Sequence, residues 1–148
     1  MSVTSRLSIQ LYTLRAMEDV DRILDTVAEA GYRYVETVGS HLDNAAGIRS
    51  KLDARGLKAS SSHVSLAALR EKPDAIADAC RTLGFQHLFM PAVPPEQRDM
   101  GADGWRSLGQ ELGGLAQRFQ EHGIRLTARA VLNLRAGRAR HSPPSGAR

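Results

Sequence analysis

Four side chains that could do chemistry stand at or near the ends of predicted strands: Gln10, Tyr12, Glu36 and His63. A carboxylate or an imidazole can act as a general base or acid in proton transfer. We therefore take Glu36 and His63 as candidate catalytic residues. Gln10 and Tyr12 are the candidate substrate-binding residues.

Each of these four residues also has a purely structural explanation. Glu36 could be a solvated carboxylate at a strand end, and His63 could be a hydrogen-bonded loop histidine. Gln10 and Tyr12 could pack inside a barrel. Whether these residues have a functional or a structural role depends on the strands and helices that position them.

Four glycines mark joins between a helix and a strand: Gly31, Gly56, Gly84 and Gly123. Each follows a helical run and precedes an apolar, polar, apolar stretch. Glycine is common just past a helix C-terminus, because it adopts the left-handed conformation at little steric cost. A strand that starts directly after such a glycine is typical of an α/β protein.

The hydrophobic periodicity predicts five strands separated by four helices. The strands are expected at Leu7–Tyr12, Tyr32–Val38, Leu57–Ser62 and His87–Met90, with a fifth beginning at Ile124. Parallel strands joined by helical crossovers form either an open doubly wound sheet or a closed barrel. No glycine lies in residues 13–16, where a dinucleotide-binding fold would need one, so the pattern favours a barrel.

A complete barrel of this kind takes about 250 residues, and this chain has 148. The predicted fold class is therefore α/β, a parallel TIM-type (β/α) barrel present as about four and a half βα units. Reactive residues in such barrels lie at the carboxyl ends of strands. Gln10, Tyr12, Glu36 and His63 satisfy that rule.

The charge distribution separates residues 1–126 from a tail at residues 127–148. The tail holds five arginines and no acidic residue, which leaves 15 of the 20 basic residues for the body, against all 16 acidic ones. We predict a half-barrel domain followed by a basic, disordered tail. The tail could be a basic arm that binds phosphate groups, or a disordered segment without a role. We favour a third explanation, that these residues come from out-of-frame translation of a GC-rich gene.

Cysteine content and hydropathy indicate the cellular compartment in which we expect the protein. The single cysteine, Cys80, excludes an internal disulfide and falls on the apolar face of a predicted helix, where we expect a buried thiol. No apolar run approaches the roughly 20 residues of a membrane span. We expect a cytoplasmic protein without a membrane partner.

Several motifs resemble the sugar phosphate isomerase/epimerase family, the xylose-isomerase-like TIM barrels. Residues 8–15 (SIQLYTLR) are similar to its opening strand, residues 31–36 (GYRYVE) to its second strand, and residues 62–64 (SHV) to its third. Residues 103–126 resemble its fourth helix and the entry to strand five. The resemblance covers about residues 6–126.

The resemblance implies metal-assisted aldose–ketose isomerisation or epimerisation of a sugar or sugar-like substrate. In such chemistry a base moves a proton and a divalent metal polarises the carbonyl oxygen. Glu36 and His63 would hold sugar hydroxyls or assist proton transfer. The family's strand five leads into a His-Asn-His segment and further metal ligands, whereas residues 127–130 here read TARA. We therefore expect no metal to bind this chain tightly, and no activity from the chain as given.

Two alternatives stay open. The chain could be a nucleic-acid-binding or endonuclease-like relative that uses its basic tail, although the neutral body makes nucleic acid the less favoured partner. A half-barrel could also self-associate through its open strand edges.

Overall fold

A computed structural model describes residues 7–94 and 101–129 of the chain, and within these ranges the strands form one sheet. The tail predicted as disordered lies outside the described residues from position 130 onward. The strands are β1 Ser8–Gln10, β2 Tyr34–Val38, β3 Lys58–His63, β4 His87–Met90 and β5 Arg125–Ala128. The helices are α1 Val20–Glu29, α2 Gly39–Leu42, α3 Ala45–Asp53, α4 Leu66–Glu71, α5 Pro73–Leu83 and α6 Gly101–Glu121, and a 3-10 helix spans Leu11–Met17.

The five strands are hydrogen-bonded in the order β1-β2-β3-β4-β5, and each neighbouring pair is parallel. Every crossover thus steps to the next strand in the same direction. A doubly wound sheet reverses its strand order at a switch point, whereas a barrel does not. The observed topology confirms the predicted partial TIM-type barrel.

The helix-to-strand glycines adopt the conformation that the sequence pattern predicts. All four have positive φ, between 65° and 83°. Gly84 ends α5 in the left-handed region, and its N–H donates to the carbonyl oxygen of Cys80 at 2.9 Å. This geometry turns the chain sharply, so that β4 begins three residues later.

The apolar core lies between the sheet and the helices. The stripe of α1 buries Ile23, Leu24 and Val27, and the N-terminus of this helix is capped by Asp19, whose carboxylate accepts from two backbone N–H groups. Cys80 of α5 is fully buried, as predicted, and burial raises the pKa of its thiol to about 12.

Burial alternates along the strands and so distinguishes the two faces of the sheet. In β2, Val35 and Thr37 are completely buried, whereas Tyr34, Glu36 and Val38 are not. The first pair therefore faces the helices. The second set faces the opposite, open side of the sheet.

Strands β2 and β3 begin slightly later than predicted, at Tyr34 and Lys58, and three further differences concern β1, the short helices and β5. The first strand was predicted to reach Tyr12, but it ends at Gln10, and the chain continues as a 3-10 helix. The short helices α2 and α4 were not predicted, because four and six residues are too few to show a helical period. Strand β5 runs to Ala128, two residues beyond the predicted body.

None of the helices in the described ranges is both long and apolar enough to cross a membrane.

Candidate functional site

Three of the four candidate residues meet at the carboxyl ends of adjacent strands. Gln10 is the last residue of β1, and His63 is the last residue of β3. Glu36 of β2 lies between them and pairs in register with Gln10. The rule that strand ends carry the reactive groups thus selected a real cluster.

A β-bulge orients His63 toward this cluster. Val35 pairs with Ala59, but Glu36 pairs with Ser61, so Ser60 is an extra residue in β3. Side chains alternate along a strand, so one inserted residue transfers all later ones to the other face. Because Ala59 faces the helices, an unbulged strand would also direct His63 there, away from Glu36.

The sheet is concave on the site's side. Neighbouring strands lie about 4.8 Å apart, so β1 and β3 would be roughly 10 Å apart in a flat sheet. Yet Ser8 Oγ lies 2.7 Å from Ser60 Oγ, across β2. Two side chains as short as serine meet over that distance only if the sheet curves toward them, as in a barrel.

The three side chains form a row, in which His63 is hydrogen-bonded to Gln10 and lies within ion-pair distance of Glu36. Gln10 Nε2 lies 2.6 Å from His63 Nδ1, and His63 Nε2 lies 3.2 Å from Glu36 Oε2. The side chains of His63 and Glu36 are 21% and 29% exposed. The row is therefore fixed by contacts on both sides of the imidazole, yet it remains open to a ligand.

A cavity of about 260 Å³ opens onto this row. Besides Gln10, Glu36 and His63, it is lined by Phe89, Pro91 and Arg129. The Phe89 ring packs against the His63 ring, with 5.7 Å between the centroids. The volume lies just under the range of about 300–1,000 Å³ that is usual for ligand pockets.

Arg129 is the cavity residue that the sequence analysis missed. Its backbone N–H donates to the carbonyl oxygen of Met90 at 2.9 Å, which extends the pairing of β4 and β5 beyond the strand itself. The predicted body stopped at residue 126, so Arg129 was assigned to the tail. Continuing the strand pattern through Thr127 and Ala128 would have found it.

Comparison with known proteins gives structural likeness only: no family model matches the sequence, and neither does any curated protein. A sugar phosphate isomerase/epimerase from Parabacteroides distasonis superimposes with a TM-score of 0.67 over 87% of this chain and 52% of its own, at 18% identity. The probable 3-DHS dehydratase AsbF from Bacillus anthracis gives 0.64 over 82% and 50%, at 15% identity. The IolI protein, solved with a bound zinc atom, gives 0.61 over 84% and 51%, at 15% identity.

This chain has the fold of about half a TIM-type (β/α) barrel. It spans about half the length of each of these three structures. At these identities the likeness concerns the fold, which confirms the fold that the sequence resemblance implied.

Tyr12 does not belong to the half-barrel's cluster. The 3-10 helix that starts at Leu11 carries Tyr12 out of the strand, and its side chain is 55% exposed. The guanidinium of Arg15 lies 4.3 Å from the centre of its ring. Tyr12 lines a separate cleft beside α1, which places it apart from Gln10, Glu36 and His63.

The described residues do not match a metal site. Within residues 7–94 and 101–129, no group of three or more His, Cys, Asp or Glu side chains converges. A zinc site takes at least three protein ligands. Glu36 and His63 are only two donors, and they contact each other.

Proposed function

We propose that this chain carries one half of the substrate site of a sugar isomerase or epimerase barrel. In the complete barrel, the reaction would be the metal-assisted isomerisation or epimerisation of a sugar or sugar-like molecule. The observation that carries the proposal is the row Gln10–His63–Glu36 at the carboxyl ends of three consecutive strands. The structural neighbours include a sugar phosphate isomerase/epimerase, which supports the choice of reaction class.

The row offers the groups that such a reaction uses. Isomerisation and epimerisation move a proton on a carbon next to a carbonyl, and this step needs a base. Glu36 supplies a partly exposed carboxylate at the cavity wall. Gln10, His63 and Arg129 supply hydrogen-bonding groups for substrate hydroxyls from three further strand ends.

A divalent metal would polarise the substrate carbonyl in the complete barrel. Because the described residues do not form a set of ligands for it, no step of this proposal passes through a metal on this chain. The half-site should therefore bind a polyhydroxylated ligand weakly and without turnover. Weak here means a Kd of about 1 mM or more, since few contacts are available.

Nuclear magnetic resonance titration of the isotopically labelled full chain tests the proposal. The probes are xylose, fructose and fructose 6-phosphate, each added to high millimolar concentration. We expect saturable shifts of the Gln10 side-chain amide and of the backbone signals of Glu36 and His63. The absence of such shifts with all three probes would refute the proposal.

A matched pair of variants separates site binding from general effects. His63→Gln removes the imidazole at the centre of the row, so the shifts should disappear. His87→Gln makes the same change at the opposite end of β4, on an exposed residue outside the cavity, and should leave them intact. Equal binding by both variants would contradict the assignment of the site.

A turnover assay gives an independent check. The purified chain is incubated with fructose 6-phosphate or xylose, with and without added zinc, and the products are separated by chromatography. We expect no product above background. Robust zinc-dependent turnover would show that the chain contains a metal site that the described residues lack.

A further inference from the structure

We propose that Phe89 is a specificity-determining residue, whose ring stacks on the C–H face of a sugar in its closed pyranose form. The inference rests on the proposed function and deepens it, because it names the ring form, and not the open chain, as the ligand that the cavity binds. Strand β4 thus contributes an apolar surface to a cavity in which the neighbouring strands contribute hydrogen-bonding groups.

The sheet places Phe89 on the same face as the polar row. Phe89 pairs in register with His63 of β3 and with Thr127 of β5. Its neighbours in β4, Leu88 and Met90, are completely buried, whereas Phe89 is only partly buried. Side chains alternate between the two faces of a strand, so Phe89 lies on the open face that carries the candidate site.

A contact with His63 holds the phenyl ring at the edge of the cavity. The centroids of the two rings are 5.7 Å apart, and their planes are tilted by 59°. Aromatic pairs prefer such tilted or offset arrangements to a flat stack. Because the rings are tilted, the imidazole does not cover a whole face of the phenyl ring, and Phe89 still lines the cavity. The ring is therefore positioned by the protein and open to a ligand.

The wall of the cavity has two kinds of surface. The polar surface comes from Gln10, Glu36, His63 and Arg129, and the one carbocyclic aromatic ring among the described lining residues comes from Phe89. A pyranose with equatorial hydroxyls has the same division, since its hydroxyls lie around the rim and its C–H groups form the two faces. These C–H groups carry a slight positive charge, which is attracted to the negative face of an aromatic ring.

An open-chain polyol does not match this cavity as well. Its hydroxyls are distributed along a flexible chain, so it offers no continuous C–H face to Phe89. It also loses more conformational freedom on binding than a closed ring does. The composition of the wall therefore favours the ring form of the sugar.

Proton resonance of a ring-locked sugar tests the contact. The full chain is titrated with methyl β-D-xylopyranoside, whose ring cannot open, and with xylitol, the open-chain polyol of the same sugar. Protons that lie over an aromatic face are shielded, so the ring protons of the xyloside should shift upfield as the site fills, and the xylitol protons should not. The xyloside should also bind about two- to tenfold more tightly, which corresponds to one aromatic contact.

Two variants at position 89 test the cause. Phe89→Leu removes the ring and keeps an apolar side chain, so the upfield shifts should disappear and the Kd for the xyloside should rise to that for xylitol. Phe89→Tyr keeps the ring and should keep both effects. Phe85→Leu is the matched control, because Phe85 is buried in the core and does not line the cavity, so the shifts should persist. The comparison of xyloside with xylitol on the unmodified chain keeps the test decisive if Phe89→Leu fails to fold.

Three results would overturn the role of Phe89: saturable binding of the xyloside without upfield shifts, equal affinity for the xyloside and xylitol, or upfield shifts that persist in Phe89→Leu. None of them would affect the proposed function, which needs only that a polyhydroxylated ligand shifts the signals of Gln10, Glu36 and His63. The absence of binding by the xyloside, by xylitol and by the three sugars of the earlier titration would overturn both.

Discussion

Ser62 in β3 should destabilise the half-barrel, and replacing it with alanine should stabilise the fold. The residue is completely buried, and its hydroxyl has no hydrogen-bond partner within the ranges that the structure describes. It pairs in register with Thr37 and Leu88, on the face that packs against the helices. A buried hydroxyl without a partner loses its hydrogen bonds to water and gains none in return.

The size of the effect follows from two opposing contributions. Leaving a hydroxyl buried and unsatisfied costs about 1–3 kcal/mol, which Ser62→Ala removes. The substitution also leaves a void the size of one oxygen atom, which lowers the stability of the fold. Deleting a buried methyl group, which is of similar size, costs about 0.5–1.5 kcal/mol, and we take this as the upper bound for the void. We expect a net gain of about 1 kcal/mol. With a urea m-value of about 2 kcal/mol per M, the unfolding midpoint should rise by about 0.5 M.

Ser60→Ala is the matched control, because the same chemical change on the same strand should have the opposite sign. The Ser60 hydroxyl donates to the carbonyl oxygen of Val35 at 3.1 Å and contacts Ser8 Oγ at 2.7 Å. Losing such bonds costs about 1 kcal/mol, so the midpoint should fall by about 0.5 M. Circular dichroism and the fluorescence of the single tryptophan, Trp105, report the transition. A midpoint for Ser62→Ala as low as that for Ser60→Ala would refute the reasoning, since the Ser62 hydroxyl must then have a partner.

Three further predictions concern the packing and charge of the same unit. Leu88→Ala, at a completely buried position of β4, should cost about 2–5 kcal/mol, and a loss below 1 kcal/mol in urea unfolding would contradict the assigned core. Because burial raises the pKa of Cys80 to about 12, its thiol should not react with a disulfide reagent at pH 8 until the chain unfolds. The stabilisation from the buried neutral thiol is present below about pH 8.5 and is lost as pH rises toward 12. Glu111→Gln should cost about 0.5–1 kcal/mol, because it breaks the two-contact pair with Arg70 that joins α4 to α6. The Arg70 guanidinium lowers the pKa of Glu111, so this contribution is present at neutral pH and is lost as pH falls below about 4, and 1 M salt should weaken it.

Local signals explain how much of the fold could be predicted from the sequence. Gly84 and the other helix-to-strand glycines act within a few residues, because the left-handed turn depends only on the local backbone. The stripe of α1 likewise predicts its own buried face. Such features identified all five strands and their order, since parallel strands with short connections are usually adjacent.

The pairing inside the site depends on features without a local signal. Gln10 and His63 are 53 residues apart and meet only because the sheet is concave. The orientation of His63 depends on the bulge at Ser60, and nothing in a run of three serines indicates which is the extra residue. Tyr12 was misplaced for a related reason, because the alternating pattern continues into the 3-10 helix although the strand has ended.

The open face of the sheet shows which interactions hold the candidate site in shape. The interior of a complete TIM barrel is filled mainly by bulky branched side chains. Here the row nearest the amino ends of the strands holds Ser8, Tyr34 and Lys58 in register, with His87 paired to Arg125, and all five are exposed. Polar groups lose little by facing water, so this face contributes little hydrophobic free energy. The stability of the described unit must therefore come from the helix-facing core, and the curvature that brings β1 to β3 depends on that packing. Substitutions that weaken the helix-facing core should therefore disturb the contacts among Gln10, His63 and Glu36. Exchanging one polar residue for another in the exposed row at the amino ends of the strands should leave these contacts intact.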